Sequence, residues 1–318
     1  MNAGDFSSLD PLDIRIMEEL ESDARQTYKD IAARLGVSRP TVMSRVQRLL
    51  DSGVIRIICW VDPMTMGYKF TVTLSICAEQ GQVTAVADRL AACAQVLYVY
   101  LCTGRFDIGA AAFFREKEDL ASFLLDELGS IPGIGHIEKM VFLQEVKATS
   151  RLLTDAKETL YPESPAKEVV NLDELDVKLI RELQTDARQK TSHLAQKLGV
   201  SKPTVFRRIQ RLIEEHVVQI ITAIDAFALG YEGIATIGLK CDPDKVREVA
   251  DTVASYKQAL YVAICAGRYD VLTYVVFRKL SDLRHFIMVE LGSIPGLKDI
   301  ETMIHYKSVK TLDRIPVY

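Results

Sequence analysis

The sequence predicts an α+β protein made of two similar halves, each a three-helix unit followed by a βαββαβ unit. LDPLDIRIMEEL at Leu9 returns as LDELDVKLIREL at Leu172, 163 residues later, and the same spacing separates Gly67 from Gly230. Within each half, apolar residues first recur at helical spacing and then alternate as in strands. Because the repeat is as long as a domain, it indicates a tandem duplication and does not suggest a solenoid.

Composition places the chain in a broad class. Of its 318 residues, 48% are hydrophobic and 26% are charged, which is typical of a soluble globular protein. It opens with no secretory signal and contains no apolar run that would span a bilayer, so we expect a cytoplasmic protein without membrane contacts. The six cysteines form no C-x-x-C pair, so we expect reduced thiols, and no metal site or cofactor.

Three helices are predicted at the start of the first half. Asp10 caps the first helix, which has Pro11 in its opening turn. Gly36 ends the second helix, since glycine takes the left-handed conformation that a helix end often needs. Ser38 then caps the third helix, and Pro40 lies in its first turn. Three residues separate the second and third helices, which is the connection length of a helix-turn-helix.

Basic charge is concentrated on these units although the whole chain has a net charge of −4. Residues 24–50 contain six basic side chains and one acidic side chain, and residues 187–213 contain seven basic side chains and no acidic one. An ordinary amphipathic helix with a solvated basic face would explain one such unit. Two basic helices in the same register favour binding to double-stranded DNA.

The third helix of each unit carries the candidate DNA contacts. In the first half these are Ser38, Arg39, Thr41, Ser44, Arg45 and Arg48. Their counterparts are Ser201, Lys202, Thr204, Arg207, Arg208 and Arg211. The serines are predicted to cap, the basic residues to hold phosphates or guanines, and the remaining residues, with Arg207, to face bases. The alternative is that Arg45 and Arg208 only pair with acids of their own domain.

The second part of each half has the order of a split βαβ arrangement. After the strand VIRIICWV, the first half contains the strand KFTVTLSICA, a helix from Val83 to Cys93, the strands VLYVYLC and FDIGAAAFF, a helix from Glu118 to Leu128 and a strand from Ile137 to Val146. The corresponding segments of the second half are Glu232–Cys241, Asp244–Tyr256, Ala259–Cys265, Tyr269–Arg278, Leu280–Leu291 and Ile300–Val309. This order is ferredoxin-like. It leaves one sheet face bare and apolar, so we expect two such domains to pair.

The predicted domains follow from these elements. They are a helix-turn-helix domain at residues 1–56, a ferredoxin-like domain at 57–148, a linker at 149–171, a second helix-turn-helix domain at 172–219 and a second ferredoxin-like domain at 220–318. Met1–Ser8 is expected to be disordered. The first part of the linker is compatible with a helix, and the later part, with Pro162 and Pro165, reads as an extended connection.

The chain resembles the Lrp/AsnC, or feast/famine, regulators over nearly its whole length, twice. The resemblance is carried by residues 9–55, by GRFD at residues 104–107, by residues 130–152 and by the matching GRYD and SIPGLKDIETMIHYKSVK of the second half. It implies winged-type helix-turn-helix domains and RAM-type domains for dimerisation and effector binding. It also implies an amino acid or related small molecule as effector, and a homo-oligomer. Family members usually carry one unit, so this chain is expected to act as a single-chain pseudo-dimer.

Two turns are the effector-binding candidates. They consist of Gly104, Arg105, Phe106 and Asp107, and of Gly267, Arg268, Tyr269 and Asp270. Glycine allows close approach of a ligand, the arginine can meet a carboxylate, and the aspartate can accept from an ammonium group. The alternative is a plain hairpin turn that the aspartate closes.

Two further departures from the family concern the second recognition helix. Ser44 is replaced by Arg207, so the preferred operator should be an imperfect palindrome. Gly53, at the helix exit, is replaced by His216, which costs on the order of 1 kcal/mol more than glycine in a left-handed cap.

Three functions compete at this stage. The leading one is a DNA-binding transcription regulator that is not an enzyme. An alternative is a siroheme decarboxylase, whose subunits look like this family and which would need histidines such as His136, His285 and His305 in a tetrapyrrole cleft. A third is an assembly partner that modulates another regulator. The basic face kept on both recognition helices favours the regulator, since an enzyme has no use for it.

Overall fold

A computed structural model of the protein describes residues 9–154 and 170–311. Both halves contain the same series of elements, three α-helices, one strand and a β-α-β-β-α-β unit. The predicted disorder of Met1–Ser8 falls outside the described residues. Among the helices of these two ranges, none combines the length and the apolar character that a membrane crossing requires.

The first three-helix unit consists of α1 (Pro11–Ser22), α2 (Tyr28–Leu35) and α3 (Arg39–Asp51). The predicted caps are present. The Asp10 carboxylate accepts hydrogen bonds from the first amides of α1, and Gly36 ends α2 with a left-handed φ of 68°. Ser38 accepts from the amide of Thr41 at the start of α3. These short-range hydrogen bonds satisfy amides that the helices leave free, so local sequence alone sets the helix ends.

The second unit consists of α6 (Glu174–Thr185), α7 (Thr191–Leu198) and α8 (Lys202–Glu214). His216 replaces Gly53 at the exit of the third helix, and it takes the same left-handed conformation, with φ of 56° against 74°, so the helix exit is unchanged in spite of the substitution. The start of the second helix differs. The N-cap of α7 is Lys190, which makes no side-chain cap, whereas Thr27 caps α2 with its hydroxyl.

A two-stranded antiparallel sheet joins the two units. It pairs β1 (Ile55–Val61) with β6 (Val218–Ile224). Each strand packs against the helices of the other half: Trp60 of β1 lies in one core with Leu179 of α6, and Ile224 of β6 lies in one core with Ile16 of α1. The two helix-turn-helix units are therefore interlocked, because each shares its hydrophobic core with a strand of the other half.

The ferredoxin-like units follow. The first contains β2 (Phe70–Ala78), α4 (Val83–Ala92), β3 (Val96–Cys102), β4 (Ile108–Phe114), α5 (Lys117–Ser122) and β5 (Ile134–Ala148). The second contains β7 (Gly233–Cys241), α9 (Val246–Ser255), β8 (Ala259–Ala266), β9 (Val271–Phe277), α10 (Leu280–His285) and β10 (Leu297–Lys310). The strand orders β3-β4-β2-β5 and β8-β9-β7-β10 are those of the predicted split βαβ arrangement.

The two helices predicted to reach Leu128 and Leu291 are present, but each changes its helix type along its length. The segments predicted as helix to Leu128 and Leu291 are α-helical only to Ser122 and His285. Each continues as a single π-helical turn and then a short 3₁₀ turn. A change of hydrogen-bond spacing within an apolar, helix-compatible segment leaves no mark in the hydrophobic periodicity, which is why the sequence did not reveal it.

The two four-stranded sheets close on each other. β3 pairs with β10 and β5 pairs with β8, so all eight strands form one closed antiparallel sheet with the helices outside. The faces that were predicted to be bare now enclose a common interior, with Phe106, Met140, Tyr269 and Met303 buried in it. Pairing of the two domains thus takes place within one chain, through strand edges as well as faces.

The described start of the linker contains no helix. Residues 149–154 leave β5 as an irregular segment, and the buried carboxylate of Glu21 accepts from the amides of Leu152 and Thr154 at 2.7 and 2.6 Å. The helix considered for this segment is therefore wrong for residues 149–154. Its continuation, residues 155–169, lies outside the described residues.

Candidate DNA-binding surface and effector turns

The start of each recognition helix, α3 or α8, has the same geometry. The Ser38 hydroxyl accepts from the amide of Thr41 at 3.2 Å and lies 2.8 Å from the Thr41 hydroxyl. Ser201 and Thr204 reproduce both distances. The serines therefore cap, as predicted, and the threonine hydroxyls are held beside them.

Two arginines of α3 turn back onto their own unit. Arg45 pairs with Asp10 and, at 3.0 Å, with Asp13, while Arg48 pairs with the other oxygen of Asp13. The Asp13 carboxylate is fully buried. Burial alone would raise the pKa of Asp13, but the hydrogen bonds from Arg48, the Asp10 amide and Arg45 outweigh it and lower the pKa. The hydrogen bond from Arg45 likewise holds the pKa of Asp10 below its usual value.

The second half repeats this arrangement. Arg208 pairs with Asp173 and, at 3.0 Å, with the buried Asp176, and Arg211 pairs with the other oxygen of Asp176. The amide of Asp176, and then Arg208, hold the pKa of Asp173 below its usual value. The intradomain pairing that stood as the alternative for Arg45 and Arg208 is thus present in both units. Whether these arginines also contact DNA stays a prediction.

The remaining candidates lie at the surface. Arg48 and Arg211 keep 47% and 38% of their side chains exposed in spite of their ion pairs, which leaves part of each guanidinium available to a phosphate. Arg39, Ser44, Lys202 and Arg207 are exposed. All of them belong to the outer surfaces of α3 and α8, and none is enclosed by the protein.

One pair of exposed residues was absent from the predicted contacts. Met43 and Phe206 occupy equivalent positions on α3 and α8 and are 44% and 57% exposed. A large apolar side chain at the surface of a helix with many basic residues is unusual, and apolar groups can contact thymine methyls. The available signal was the substitution of methionine by phenylalanine between the two halves.

The two candidate effector turns dock against the opposite half. Gly104 has φ of 108°, and a Cβ there would lie 2.8 Å from the Thr302 carbonyl oxygen of β10. Gly267 has φ of 147°, and its Cβ would lie 2.9 Å from the Lys139 carbonyl oxygen of β5. Both positions require glycine because of contact between the halves as well as backbone conformation.

The aspartates of these turns hold the backbone. Asp107 accepts from the amide of Ala78 at 2.9 Å, and Asp270 accepts from the amide of Cys241 at 2.9 Å. Each carboxylate therefore ties its turn to a neighbouring strand, β2 or β7, and has a structural role without closing its own hairpin. Phe106 is buried in the interior of the closed sheet, so its ring has no free surface for a ligand.

The arginines of the two turns converge on two glutamates. Arg268 pairs with Glu301 at 2.9 Å and with Glu138 at 3.2 Å, and Arg105 lies 3.4 Å from Glu138 and 3.9 Å from Glu301. The Tyr269 hydroxyl donates to Glu301 at 2.7 Å, and burial, together with this hydrogen bond, raises the pKa of Tyr269. Sequence reasoning missed both glutamates, although they are 163 residues apart and thus equivalent.

The three histidines of the enzyme alternative have different environments. His305 lies inside the closed sheet, stacked on Tyr100 with 3.7 Å between ring centroids and 2.7 Å from the Thr236 hydroxyl. Burial lowers the pKa of His305 to about 3, so the imidazole is neutral. His136 and His285 are exposed at the surface.

Comparison with known families matches both halves. A winged helix-turn-helix DNA-binding family matches residues 9–56, and the AsnC-type helix-turn-helix domain matches residues 172–213. The Lrp/AsnC ligand binding domain matches residues 71–152 and 234–315, which together exceed half of the chain.

Individual relatives align with about half of this chain. An uncharacterized HTH-type transcriptional regulator of Pyrococcus furiosus is 36% identical over 134 residues, which is 42% of this chain and 90% of that protein. The leucine-responsive regulatory protein of Rhizobium meliloti is 31% identical over 152 residues, 46% of this chain and 97% of that protein.

Solved structures of one enzyme match both halves together. The siroheme decarboxylase NirDL aligns over 96% of this chain and 94% of that chain, with a TM-score of 0.66 and 14% sequence identity. At that identity the similarity concerns the fold alone. The matched domains and the full-length relatives agree, and the chain belongs to the Lrp/AsnC family of transcription regulators, with the family's unit present twice.

Proposed function

We propose that this regulator binds DNA as a single-chain pseudo-dimer. The observation that supports it most is the interlocking of the two helix-turn-helix units through the β1–β6 pair. One chain thereby holds two recognition helices in one body, which a one-unit relative achieves only by dimerising. Two half-sites about 34–36 Å apart, or a multiple of that distance, fit such a docking.

Each recognition helix has residues for positioning and for reading. Arg48 and Arg211, each partly exposed, contact phosphates, as do Arg39 and Lys202 at the helix starts. Thr41, Ser44, Thr204 and Arg207 face bases, and Met43 and Phe206 add apolar contacts with thymine methyls. Arg45 and Arg208 act mainly by fixing α3 and α8 on the first helix of their unit.

The test is a binding-site selection with the purified chain. We expect an imperfect palindrome, because Ser44 and Met43 of α3 correspond to Arg207 and Phe206 of α8. The double substitution Ser44→Arg with Met43→Phe should make the selected half-sites more alike. A perfect palindrome selected by the unaltered chain would contradict the proposed reading of bases. Failure to bind any duplex would contradict the proposal as a whole and favour the assembly-partner function.

We also propose an amino acid as effector, bound where the two turns converge. Arg105 is 47% exposed and holds Glu138 and Glu301 only at 3.4 and 3.9 Å, so a ligand carboxylate can replace these long contacts. The glutamates then become acceptors for the ligand's ammonium group. The name of the Rhizobium meliloti relative, a leucine-responsive regulatory protein, is consistent with this class of ligand.

Calorimetry with each amino acid tests the effector. We expect heat with at least one amino acid, and loss of that heat in Arg105→Gln. Lys117→Gln, which changes an exposed residue of α5, serves as the control. Absence of heat with every amino acid would contradict the choice of ligand.

Assembly of several chains is also proposed. Exposed apolar residues recur at matched positions of the two ferredoxin-like units: Leu125 and Met288 are 75% and 72% exposed, and Leu143 and Tyr306 are 66% and 60% exposed. Such duplicated apolar surface favours contact with further copies of the chain. Light scattering should give a mass above one chain, and Leu125→Lys with Met288→Lys should reduce it. A mass of one chain at assay concentration would contradict this assembly.

A siroheme decarboxylase remains the second candidate because of the fold it shares with NirDL. Titration with an iron tetrapyrrole, followed by absorbance in the Soret region, separates the two functions. We expect no perturbed spectrum. A perturbed spectrum that His305→Ala abolishes would favour the enzyme.

A further inference from the structure

A cavity lined by four cations lies where the two helix-turn-helix units meet. It is open to solvent and has a volume of about 380 Å³. Its lining residues are Arg25, Arg188, Gln189, Lys190, Thr191, Ser192 and Lys202. Arg25 belongs to the first unit and the other residues to the second, so the cavity exists because the two units are packed together. No acidic residue is among those that line it.

The cationic side chains of this cavity make few contacts of their own among the described residues. Within residues 9–154 and 170–311, Arg25, Lys190 and Lys202 take part in no ion pair. Arg188 donates through Nη2 to the Gln26 carbonyl oxygen at 3.1 Å, but its Nη1 is buried and has no hydrogen-bond partner in the part of the chain that the structure describes. Positive charges held close together repel one another unless an anion is bound between them.

The start of α7 adds to the positive electrostatic potential of the cavity. α7 begins at the cavity, and Lys190 at its N-cap supplies no side-chain acceptor. The free amides and the dipole of a helix start favour an anion. In the first half the equivalent position is Thr27, whose hydroxyl accepts from the amide of Asp30 at 3.2 Å. The first half therefore lacks an uncapped helix start at this position.

Tyr28 contributes to this difference between the two halves. The Arg188 guanidinium lies 4.5 Å from the centroid of the Tyr28 ring, in a cation–π contact. Through this contact, Arg188 of the second unit packs on a residue of the first unit. The equivalent of Tyr28 in the second half is Thr191, which lines the cavity and is too small to make such a contact.

The position of the cavity points to its ligand. Lys202 is the first residue of the recognition helix α8, and Arg25 and Arg188 lie at the junction between the two units. We propose that the cavity is a phosphate-binding site, filled by a backbone phosphate of the DNA between the two half-sites. The DNA source rests on the proposed function. A free phosphate or pyrophosphate has the same chemistry, and the experiment distinguishes the two sources.

Lys190→Thr is the variant of choice, because it places in the second half the residue that caps α2 in the first. It removes one charge from the cavity while giving α7 a side-chain cap, so the fold is expected to be retained. Lys117→Thr, the same change at an exposed residue of α5, is the matched control. Thermal unfolding of both variants verifies that they are folded.

The first arm measures affinity for a selected duplex against salt concentration. Loss of one phosphate contact makes the slope of log affinity against log salt less steep by about 0.9. Between 50 and 200 mM salt, the factor by which affinity falls should therefore be about 3.5 times smaller for Lys190→Thr than for the unaltered chain. Lys117→Thr should behave as the unaltered chain does. Neutral methylphosphonates placed one at a time between the half-sites should weaken binding by the unaltered chain at one or two positions. They should weaken Lys190→Thr less at those positions, because the variant has already lost one of the four charges that hold the phosphate.

The second arm titrates the unaltered chain and Lys190→Thr with inorganic phosphate and pyrophosphate, without DNA. Heat with the unaltered chain alone, together with an unchanged salt slope, would assign the site to a phosphate from solution. An unchanged slope and no difference in heat would overturn the phosphate site while leaving DNA binding intact. If the unaltered chain binds no duplex, the proposed function fails and the second arm alone decides the phosphate site.

Discussion

Replacement of Asp176 by asparagine should destabilise the second helix-turn-helix unit. The carboxylate is fully buried and accepts from Arg208, Arg211 and the amide of Asp173. Asparagine keeps the size and one acceptor oxygen. It removes the charge, however, and turns an amide NH₂ group towards one of the guanidinium groups, so at least one charge-assisted hydrogen bond is lost.

The magnitude follows from burial and exposure. A hydrogen bond to a charged group contributes roughly 1.5–3 kcal/mol. Arg208 and Arg211 expose 24% and 38% of their side chains, so water replaces part of the lost contact. We expect the free energy of unfolding to fall by about 2 kcal/mol, which at ordinary urea slopes lowers the midpoint by about 1 M.

The assay uses the single tryptophan of the chain. Trp60 is buried in the same core as Leu179 and Leu212 of the second unit, so its fluorescence reports on unfolding there. Asp173→Asn is the control, because asparagine caps a helix as well as aspartate does and the Asp173 side chain is half exposed. Equal urea midpoints for Asp176→Asn and Asp173→Asn would refute the assignment of stability to the buried pair.

Three further predictions concern stability elsewhere. The pKa of Asp13 in the folded protein lies below its usual 3.8, so the ionised carboxylate stabilises the fold fully above pH 3.8, and this stabilisation is lost as the pH falls through the folded pKa. Urea midpoints measured from pH 6 downwards should therefore fall below pH 3.8, and they should fall less in Asp13→Asn. Gly104→Ala places a Cβ against the Thr302 carbonyl oxygen at a left-handed φ and should cost about 1–3 kcal/mol, measured by calorimetric unfolding; an unchanged transition would contradict the docking of the turn. Thr236→Val removes the buried partner of the Tyr100 hydroxyl, 2.9 Å away, and should cost about 1–3 kcal/mol in urea unfolding, with no loss if that hydroxyl finds another partner.

The elements of each half were predictable because local signals define them. Asp10, Gly36 and Ser38 act on amides within a few residues, and the apolar spacing shows which helix face is buried. Because the chain is duplicated, every element could be predicted from two independent segments of sequence. It also exposed the differences at His216 and Phe206, which no single copy would have revealed.

The candidate sites were predictable as segments but not as contacts. The pairing of Arg45 with Asp13 joins α3 to α1 across 32 residues, and periodicity does not state which acid a surface arginine will meet. A signal was present, since Asp10 and Asp13 return as Asp173 and Asp176. Glu138 likewise returns as Glu301, but the repeat did not show that Arg268 would reach Glu138, because that contact crosses between the halves.

The sequence by itself therefore determined the helix-turn-helix units, the βαββαβ order and the duplication, since each depends on hydrogen bonds and apolar spacing within short segments. The tertiary structure alone decided that β3 pairs with β10, that β1 pairs with β6 and that Arg188 donates to the Gln26 carbonyl oxygen. Those contacts join residues more than 150 positions apart. They depend on which strand edges remain unpaired after each half has formed, and an unpaired edge carries no mark in the amino-acid pattern.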